Sequence, residues 1–457
     1  MAHLPAPLRR MVFHTHPARM VAIAFGITVV IGTTLLALPV ATTDGTSAPL
    51  LTALFTATSA VCVTGLVVVD TGTYWSGFGE GVILALIQVG GFGIMALASL
   101  LALLMAGKLR LRMTLSLQAE TKSSGIGDVR SVLRRVALIT LTVEAVTATI
   151  LTLRLFLGRG EPFDRSLYYG VFHAVSAFNN AGFGLYADSL VGYAEDPWVM
   201  LPVAGAVILG GIGFPVIIEL LRHRSRRRTT GRVGWSLHLK LTLLTTAVLL
   251  VAGTAMTLLL EWSNRGTLGP LGVGGKALGA FFHSAMSRTA GFNATDIAAM
   301  EPATLLGTCA LMFIGGGSGG TAGGIKVTTF AVLGVAILAE VRGEPSSGIF
   351  GRKLAPHVLR QALTVALLGV GLVMASSIAL LAMVDARADL VLFETVSAFG
   401  TVGLSAGLTY DLPAAAELIL IMLMFIGRVG PITLVSALAL RERRRRYQLP
   451  EERPIIG

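Results

Sequence analysis

Charge is scarce in this chain. Lys, Arg, Asp and Glu together make up 13% of the 457 residues, against 54% hydrophobic ones. That is too little polar surface to coat a water-soluble globule, so the two or three soluble domains that the length alone would allow are excluded. Cysteine is nearly missing. Cys62 and Cys309 lie far apart in apolar segments, which sets aside a disulfide framework, a cysteine metal cluster and a redox role. Carboxylates are few in the apolar stretches, chiefly Glu144, Glu219 and Glu394. They show no paired acid and base spacing and no HExxH signature accompanies them, so the chain does not read as an enzyme and no covalent cofactor is expected.

What is abundant is apolar sequence of membrane-spanning length, as in Val21 to Leu38, Val82 to Leu104, Val136 to Leu153 and Leu237 to Leu260. The first stretch follows Arg9, Arg10 and Arg19 but has no small-residue cleavage site after Leu38, so it reads as a retained helix and not a secretion signal. The net charge of +11 is segregated. Lys and Arg gather in the N-terminal arm, in 108–135, 222–240 and 342–360, and in the tail from Arg441, whereas Val40 to Leu84, Phe183 to Pro202 and Phe292 to Leu311 are nearly free of them. By the positive-inside rule the basic loops and both termini face the cytoplasm of a multi-pass protein of the cell membrane. The basic excess is therefore a topological signal in a bilayer, and no nucleic acid is expected as a partner.

The chain repeats itself. An aromatic residue stands ten positions before a glycine at Phe55 and Gly65, Phe172 and Gly182, Phe281 and Gly291, and Phe393 and Gly403, and the glycines are spaced by 117, 109 and 112 residues. Six positions before each glycine stand Ser59, Ser176, Ala285 and Ser397. Each such segment lies between two apolar spans and is too short to cross a bilayer of about 30 Å at about 1.5 Å per residue, so it must dip in and return. Every inter-repeat loop then comes back to the cytoplasm, in agreement with the charge pattern. Helix packing alone explains small residues, but not the polar Thr64, Asn180, Thr289 and Thr401 beside the glycines. A re-entrant backbone lining a water-accessible path explains both.

Backbone carbonyls can replace the water around a cation without the burial of a carboxylate. Glycine permits the conformations that aim consecutive carbonyls at one axis. The short helices before the glycines, for instance over Phe55 to Val61, would add the negative ends of their dipoles.

The same segments resemble those of the Trk, Ktr and HKT superfamily of potassium transporters. The matching stretches are TSAVCVTGLVVVDT (Thr58 to Thr71), FHAVSAFNNAGF (Phe172 to Phe183), SRTAGFN (Ser287 to Asn293), ETVSAFGTVGLSAG (Glu394 to Gly407), FIGGGSGGTAGGIKV (Phe313 to Val327) and FIGRVGP (Phe425 to Pro431). The chain looks most like the KtrB-type ion-translocating subunit, since its first span begins near residue 20 and leaves no room for the extra helix pair expected of the TrkH type. The resemblance implies an all-α polytopic membrane protein with about eight membrane helices, in four tandem helix, pore-loop, helix repeats around one pore. The expected division is an arm 1–19, repeat 1 over 20–107, a basic loop 108–135, repeat 2 over 136–222, a basic loop 223–236, repeat 3 over 237–341, a loop 342–359, repeat 4 over 360–440 and a tail 441–457.

It further implies a selectivity filter from Val63, Thr64 and Gly65; Asn180, Ala181 and Gly182; Thr289, Ala290 and Gly291; and Thr401, Val402 and Gly403. The implied substrate is potassium, held by the backbone carbonyls. Glycine at position 65 goes with potassium, where serine in its place would favour sodium. A homodimer with one pore in each protomer and a cytosolic ring of RCK/KTN-type nucleotide-binding subunits are implied as well. Sodium as an activator is left open.

Two features point to a gate. The stretch Gly315, Gly316, Gly317, Ser318, Gly319, Gly320, Thr321, Ala322, Gly323 and Gly324 holds seven glycines inside an apolar span. Each glycine costs a helix about 1 kcal/mol relative to alanine, so the helix should break there. In the resembling family more serine is expected at Gly317 and Gly320. A phosphate-binding loop is rejected, because the Walker spacing is absent and no strand precedes it. Arg428 stands 13 residues before Arg441, about 20 Å of helix and too far to snorkel out. It is expected to face the ion path and to bind carbonyls of the glycine loop.

Arg288 and Glu394 read as filter scaffold, with Arg288 bracing its loop through Glu394 or a backbone carbonyl. Lys326 either binds loop carbonyls or balances charge. Asp70 either enriches cations at the outer mouth or is a solvated loop carboxylate. His173 and His283, at matching repeat positions, read as satisfied buried histidines. The rival to a pore is a proton- or sodium-coupled cation transporter of broader specificity, whose folds also use broken helices but typically in inverted repeats.

Overall fold

A computed structural model describes residues 17–93, 127–226, 234–344 and 346–430. Most of the arm 1–19, most of the basic loop 108–135, half of the basic loop 223–236, the end of repeat 4 from 431 and the tail 441–457 lie outside the described residues, as does the end of the Val82 to Leu104 span.

The described chain is almost entirely helical and falls into four successive sets. The first holds α1 (Pro17–Leu36), α2 (Leu50–Cys62) and α3 (Gly77–Gly93). The second holds α4 (Gly127–Leu153), α5 (Phe163–Phe178), α6 (Pro197–Ile212) and α7 (Phe214–Arg226). The third holds α8 (Leu237–Glu261), α9 (Val273–Met286), α10 (Pro302–Phe313) and α11 (Val327–Val341). The fourth holds α12 (Pro356–Leu381), α13 (Ala388–Gly400) and α14 (Ala414–Val429).

Local sequence explains the boundaries. Proline opens α6, α10 and α12, where its fixed φ suits the first turn and its missing N–H would be unpaired in any case. Asp196 caps α6 by accepting from Trp198 N at 3.1 Å, and Ser236 caps α8 by accepting from Leu239 N at 3.1 Å. At the other end, α2 and α13 stop where Val63 and Thr401 turn left-handed, at φ 55° and 49°.

Within each set the first long helix packs on the short helix that follows: α1 on α2, α4 on α5, α8 on α9 and α12 on α13. Between sets, α6 packs on α9, α10 on α13 and α14 on α2. Gln88 of α3 meets Asn179 at the end of α5 at 2.8 Å. The helix that follows the short helix in each set thus leans on the short helix of the next, and the fourth closes on the first.

Burial is inverted relative to a soluble domain. The short helices are buried from Phe55 to Cys62 and from Phe393 to Gly400, hydroxyls included. The long helices expose leucine, isoleucine and valine, as at Val251 (70%), Leu367 (63%) and Ile378 (64%). An apolar outside around a polar-bearing inside is the arrangement a bilayer selects.

Among the described residues three helices are long and apolar enough to cross a membrane, Leu133–Gly158, Leu237–Glu261 and Pro356–Leu381. A fourth is the bent pair Pro197–Ile212 and Phe214–Leu221, which turns by 96°. In the second and third sets the apolar stretch after the short helix is interrupted, at Gly213 and from Ile314 to Lys326, and α3 is described only as far as Gly93. The break at Gly213 was not expected from the sequence. Its signal is Gly210-Gly211-Ile212-Gly213-Phe214-Pro215, a glycine run followed by proline. The loop 342–359 carries a small hairpin, Gly348–Ile349 against Arg352–Lys353.

Candidate functional site

The four motif glycines meet at one place. A Cβ at Gly65 would collide with the carbonyl oxygen of Ala181, and one at Gly403 with that of Thr64. At Gly182 it would stand 2.6 Å from the carbonyl oxygen of Ala290, and at Gly291 2.7 Å from that of Val402. Each glycine therefore lies against the carbonyl of the residue just before the glycine in the next set, and the order closes into a ring. A side chain here has no room.

The backbone is also one that side chains resist. Gly65, Gly182, Gly291 and Gly403 have φ of 90°, 72°, 73° and 90°, and two residues earlier Val63, Asn180, Thr289 and Thr401 have φ of 55°, 60°, 87° and 49°. Two left-handed residues separated by one other recur in every set, which accounts for the glycine at the second of them. In the first and fourth sets the turn is tied from within: Ser59 Oγ accepts from Gly65 N and Ser397 Oγ from Gly403 N, both at 3.1 Å.

Above the ring lies a cavity of about 250 Å³, lined by all four glycines and by Asp70, Asp188 and Asp296, with no Lys or Arg among the described residues of its wall. Asp70 also caps the short helix Thr71–Tyr74, its Oδ1 accepting from Thr73 N at 2.9 Å and from Thr73 Oγ1 at 2.7 Å.

The glycine loop sits on the far side. Gly315 N donates to Ile325 O at 2.8 Å and Val327 N to Gly316 O at 3.0 Å, which closes the neck of the loop. Its body docks on the α6/α7 break: Gly317 N donates to Gly211 O at 2.7 Å, Thr321 N to Gly210 O at 3.1 Å, and Phe214 N to Gly319 O at 3.2 Å. Thr321 Oγ1 lies 2.7 Å from the side-chain amide of Asn180, and a Cβ at Gly323 would strike Thr401 while one at Gly324 would crowd Gly400. The loop thus touches the glycine-ring segments of the second and fourth sets. Gly317 and Gly320, where serine is expected in the resembling family, face Ile212 O and Gly210 O so closely that a Cβ would clash or crowd. The departure matches the close backbone approach to the α6/α7 break.

Two cations hold three consecutive carbonyls of this loop. Arg428, 4% exposed, donates from Nη1 to Thr321 O and from Nη2 to Gly90 O at 3.2 Å. Lys326 Nζ donates to Ala322 O at 2.5 Å and to Gly323 O at 3.3 Å, so of its two readings carbonyl binding is the contact it makes.

Arg288 and Glu394 do not meet. Arg288 donates to Thr246 O at 3.3 Å and Thr246 Oγ1 at 3.4 Å. Glu394 accepts from Ser405 Oγ at 2.5 Å, Ala406 N at 3.1 Å and Thr409 Oγ1 at 2.8 Å, all in the segment after Gly403. In the third set the fully buried aromatic is Phe282, nine residues before Gly291, while Phe281 is half-buried. The ten-residue spacing therefore holds in three sets and shortens by one in the third, where α9 ends earlier. His173 and His283 each follow the buried aromatic but have different surroundings. His173 Nδ1 lies 2.8 Å from Tyr169 O, with Tyr186 and Phe292 around the ring, and His283 Nε2 lies 2.9 Å from Thr308 Oγ1. His173 Nε2 has no partner among the described residues, so that histidine is only half satisfied. The letters of a hydrolase elbow, glycine-x-serine-x-glycine, do occur at Gly316 to Gly320, but Ser318 pairs with Thr328 Oγ1 at 3.0 Å and no strand leads into it.

Residues 9–444 match the family model TrkH, described as a cation transport protein. The chain belongs to the TrkH family. Among its relatives, Ktr system potassium uptake protein B of Bacillus subtilis is 41% identical over 93% of this chain and 94% of its own length. The protein of the same description from Vibrio alginolyticus is 38% identical over 93% and 91%. The potassium/sodium uptake protein NtpJ of Enterococcus hirae is 34% identical over 96% and 97%. The TrkH fold is also that of the solved potassium transporter TrkH from Vibrio parahaemolyticus, with a TM-score of 0.72 over 94% of this chain and 86% of that one at 17% identity. As a member of the TrkH family, the chain is a membrane protein of a cation transport class.

Proposed function

We propose that this chain takes up potassium across the cell membrane through one central pore, built from four tandem helix, pore-loop, helix repeats with about eight membrane crossings. The observation that carries the reading is the closed ring in which each motif glycine lies against a carbonyl of the next set. Such a ring offers a dehydrated cation backbone oxygens on every side. The short helices α2, α5, α9 and α13 end toward it, with the negative ends of their dipoles. The outer cavity adds carboxylates and, among the described residues, no basic one, which raises the local concentration of cations. Potassium is assigned because two relatives above 35% identity are potassium uptake proteins by description.

The filter is Val63 to Gly65, Asn180 to Gly182, Thr289 to Gly291 and Thr401 to Gly403, with Glu394 and Arg288 as scaffold. The gate is the loop Gly315 to Gly324 with Arg428. In the conformation described, cationic side chains occupy loop carbonyls that a passing ion would otherwise meet. Both termini face the cytoplasm, where the basic loops would receive a nucleotide-binding regulatory ring. The chain acts as a homodimer, and sodium is a candidate activator. A second reading, a cation transporter of broader specificity, is favoured by one observation, the potassium/sodium description of the Enterococcus hirae relative.

Ion flux into liposomes under potassium, rubidium and sodium gradients tests the reading. Potassium and rubidium should far exceed sodium, and Gly65→Ser should narrow the difference. Equal potassium and sodium flux in the unmodified protein would reject a potassium filter and leave the broader reading.

A further inference from the structure

The four filter turns are not tied in the same way. In the first and fourth sets the serine six residues before the glycine bonds the glycine amide. The second set has that serine, Ser176, but its hydroxyl is buried with no partner among the described residues. The third set has Ala285 there, with no hydroxyl. What these two sets have is a polar side chain three residues before the glycine, where the others have Cys62 and Gly400. Arg288 reaches back to Thr246 on α8. Asn179 Nδ2 shares its two hydrogens among three acceptors, Gln88 Oε1 on α3 at 2.8 Å, Val175 O of its own helix at 2.9 Å and, reaching back, Glu144 Oε1 on α4 at 3.2 Å. Gln88 completes the triangle by donating to Glu144 Oε2 at 3.5 Å.

Glu144 is 6% exposed, on the inward face of a long apolar helix. A carboxylate there is expensive unless it has work and partners. Both of its partners lead to the ring: Asn179 immediately precedes the left-handed Asn180, and Gln88 lies on α3, two residues from the Gly90 whose carbonyl Arg428 binds. We infer that Glu144 is a positioning residue for ion selection, acting through Asn179 to hold the Asn180 to Gly182 turn at the radius that the self-tied first and fourth turns set. The third turn has the same device in Arg288 and Thr246. The ring thus combines two turns fixed from within and two fixed against the outer helices, and a change behind α5 should alter which cation fits.

This rests on reading Gly182 as a filter residue, and the experiment separates the two. Potassium and sodium flux are measured side by side for the unmodified protein and for Glu144→Gln, Glu144→Ala, Asn179→Ala and the double Glu144→Ala/Asn179→Ala, each checked as a monodisperse protein. Glutamine keeps an acceptor for Asn179 and should keep the potassium to sodium ratio. Glu144→Ala and Asn179→Ala should each lower the ratio by about three- to tenfold, as expected for losing one ordinary hydrogen bond. The double should be no worse than Asn179→Ala alone, because that change already removes the Asn179 to Glu144 bond. If Glu144→Ala is not recovered folded, Gln88→Leu and Asn179→Ala carry the test and should lower the ratio in the same direction. An unchanged ratio in these variants, or additive losses in the double, overturns the inference while leaving the filter reading intact. An unmodified protein that does not discriminate overturns the filter reading itself.

Discussion

Replacing Arg428 separates two ways in which a buried cation can restrain flux. Its guanidinium bridges Thr321 O of the glycine loop and Gly90 O of α3, at 4% exposure. Each is a hydrogen bond from a charged donor, worth about 1.5 to 3 kcal/mol. Glutamine can restore one of the two at best, so Arg428→Gln should weaken the docked loop by about 1.5 to 3 kcal/mol. That is about ten- to hundredfold in the ratio of docked to undocked loop. Lysine keeps the charge but presents a point donor with no fork, and it does not span two carbonyls on different elements in the same way. If Arg428 acts as a clamp, Arg428→Lys should leak nearly as much as Arg428→Gln. If it acts only as a positive plug, Arg428→Lys should stay tight. The assay is basal potassium flux into liposomes with no regulatory partner present. Unchanged flux in a monodisperse Arg428→Gln protein would refute both roles, and a tight Arg428→Lys protein would refute the clamp.

Glu394 holds the segment after Gly403 through Ser405, Ala406 and Thr409. Glu394→Ala leaves those donors without their acceptor at about 1 to 3 kcal/mol each, so it should lower the thermal midpoint and broaden ion selectivity, while Glu394→Gln should do less of both. A thermal melt and paired flux measurements check this. A Cβ at Gly320 would stand 2.7 Å from Gly210 O, so Gly320→Val should force the loop off the α6/α7 break and raise basal flux, whereas the same change at Gly334, which has nothing within 4 Å, should leave flux unchanged.

Much of this architecture is legible without coordinates because its causes are local. The left-handed turn at each motif glycine demands glycine, and seven glycines in ten residues forbid a continuous helix. Contacts between sets are harder to read. Of the two partners the sequence offers Arg288, Glu394 or a backbone carbonyl, it takes the carbonyl, and nothing in the sequence says that it is the one of Thr246. The break at Gly213 hides because Val199 to Ile212 is uniformly apolar and Pro215 falls in the first turn of the next helix, where proline is tolerated. The shortened spacing at Phe282 escapes notice because Phe281 stands beside it and satisfies the ten-residue count. Glu144 and Gln88 lie 56 residues apart with nothing in either neighbourhood to link them.

The glycine loop and the α6/α7 break recognise each other by main chain: Gly317 on Gly211, Thr321 on Gly210 and Phe214 on Gly319. Parting them strips an amide and a carbonyl of their partner at every bond, in a region where lipid can supply neither. Only water can take their place. If the loop is the gate, as proposed, opening and wetting are a single event, and solutes that lower the activity of water should favour the dry, docked pair without touching any side chain.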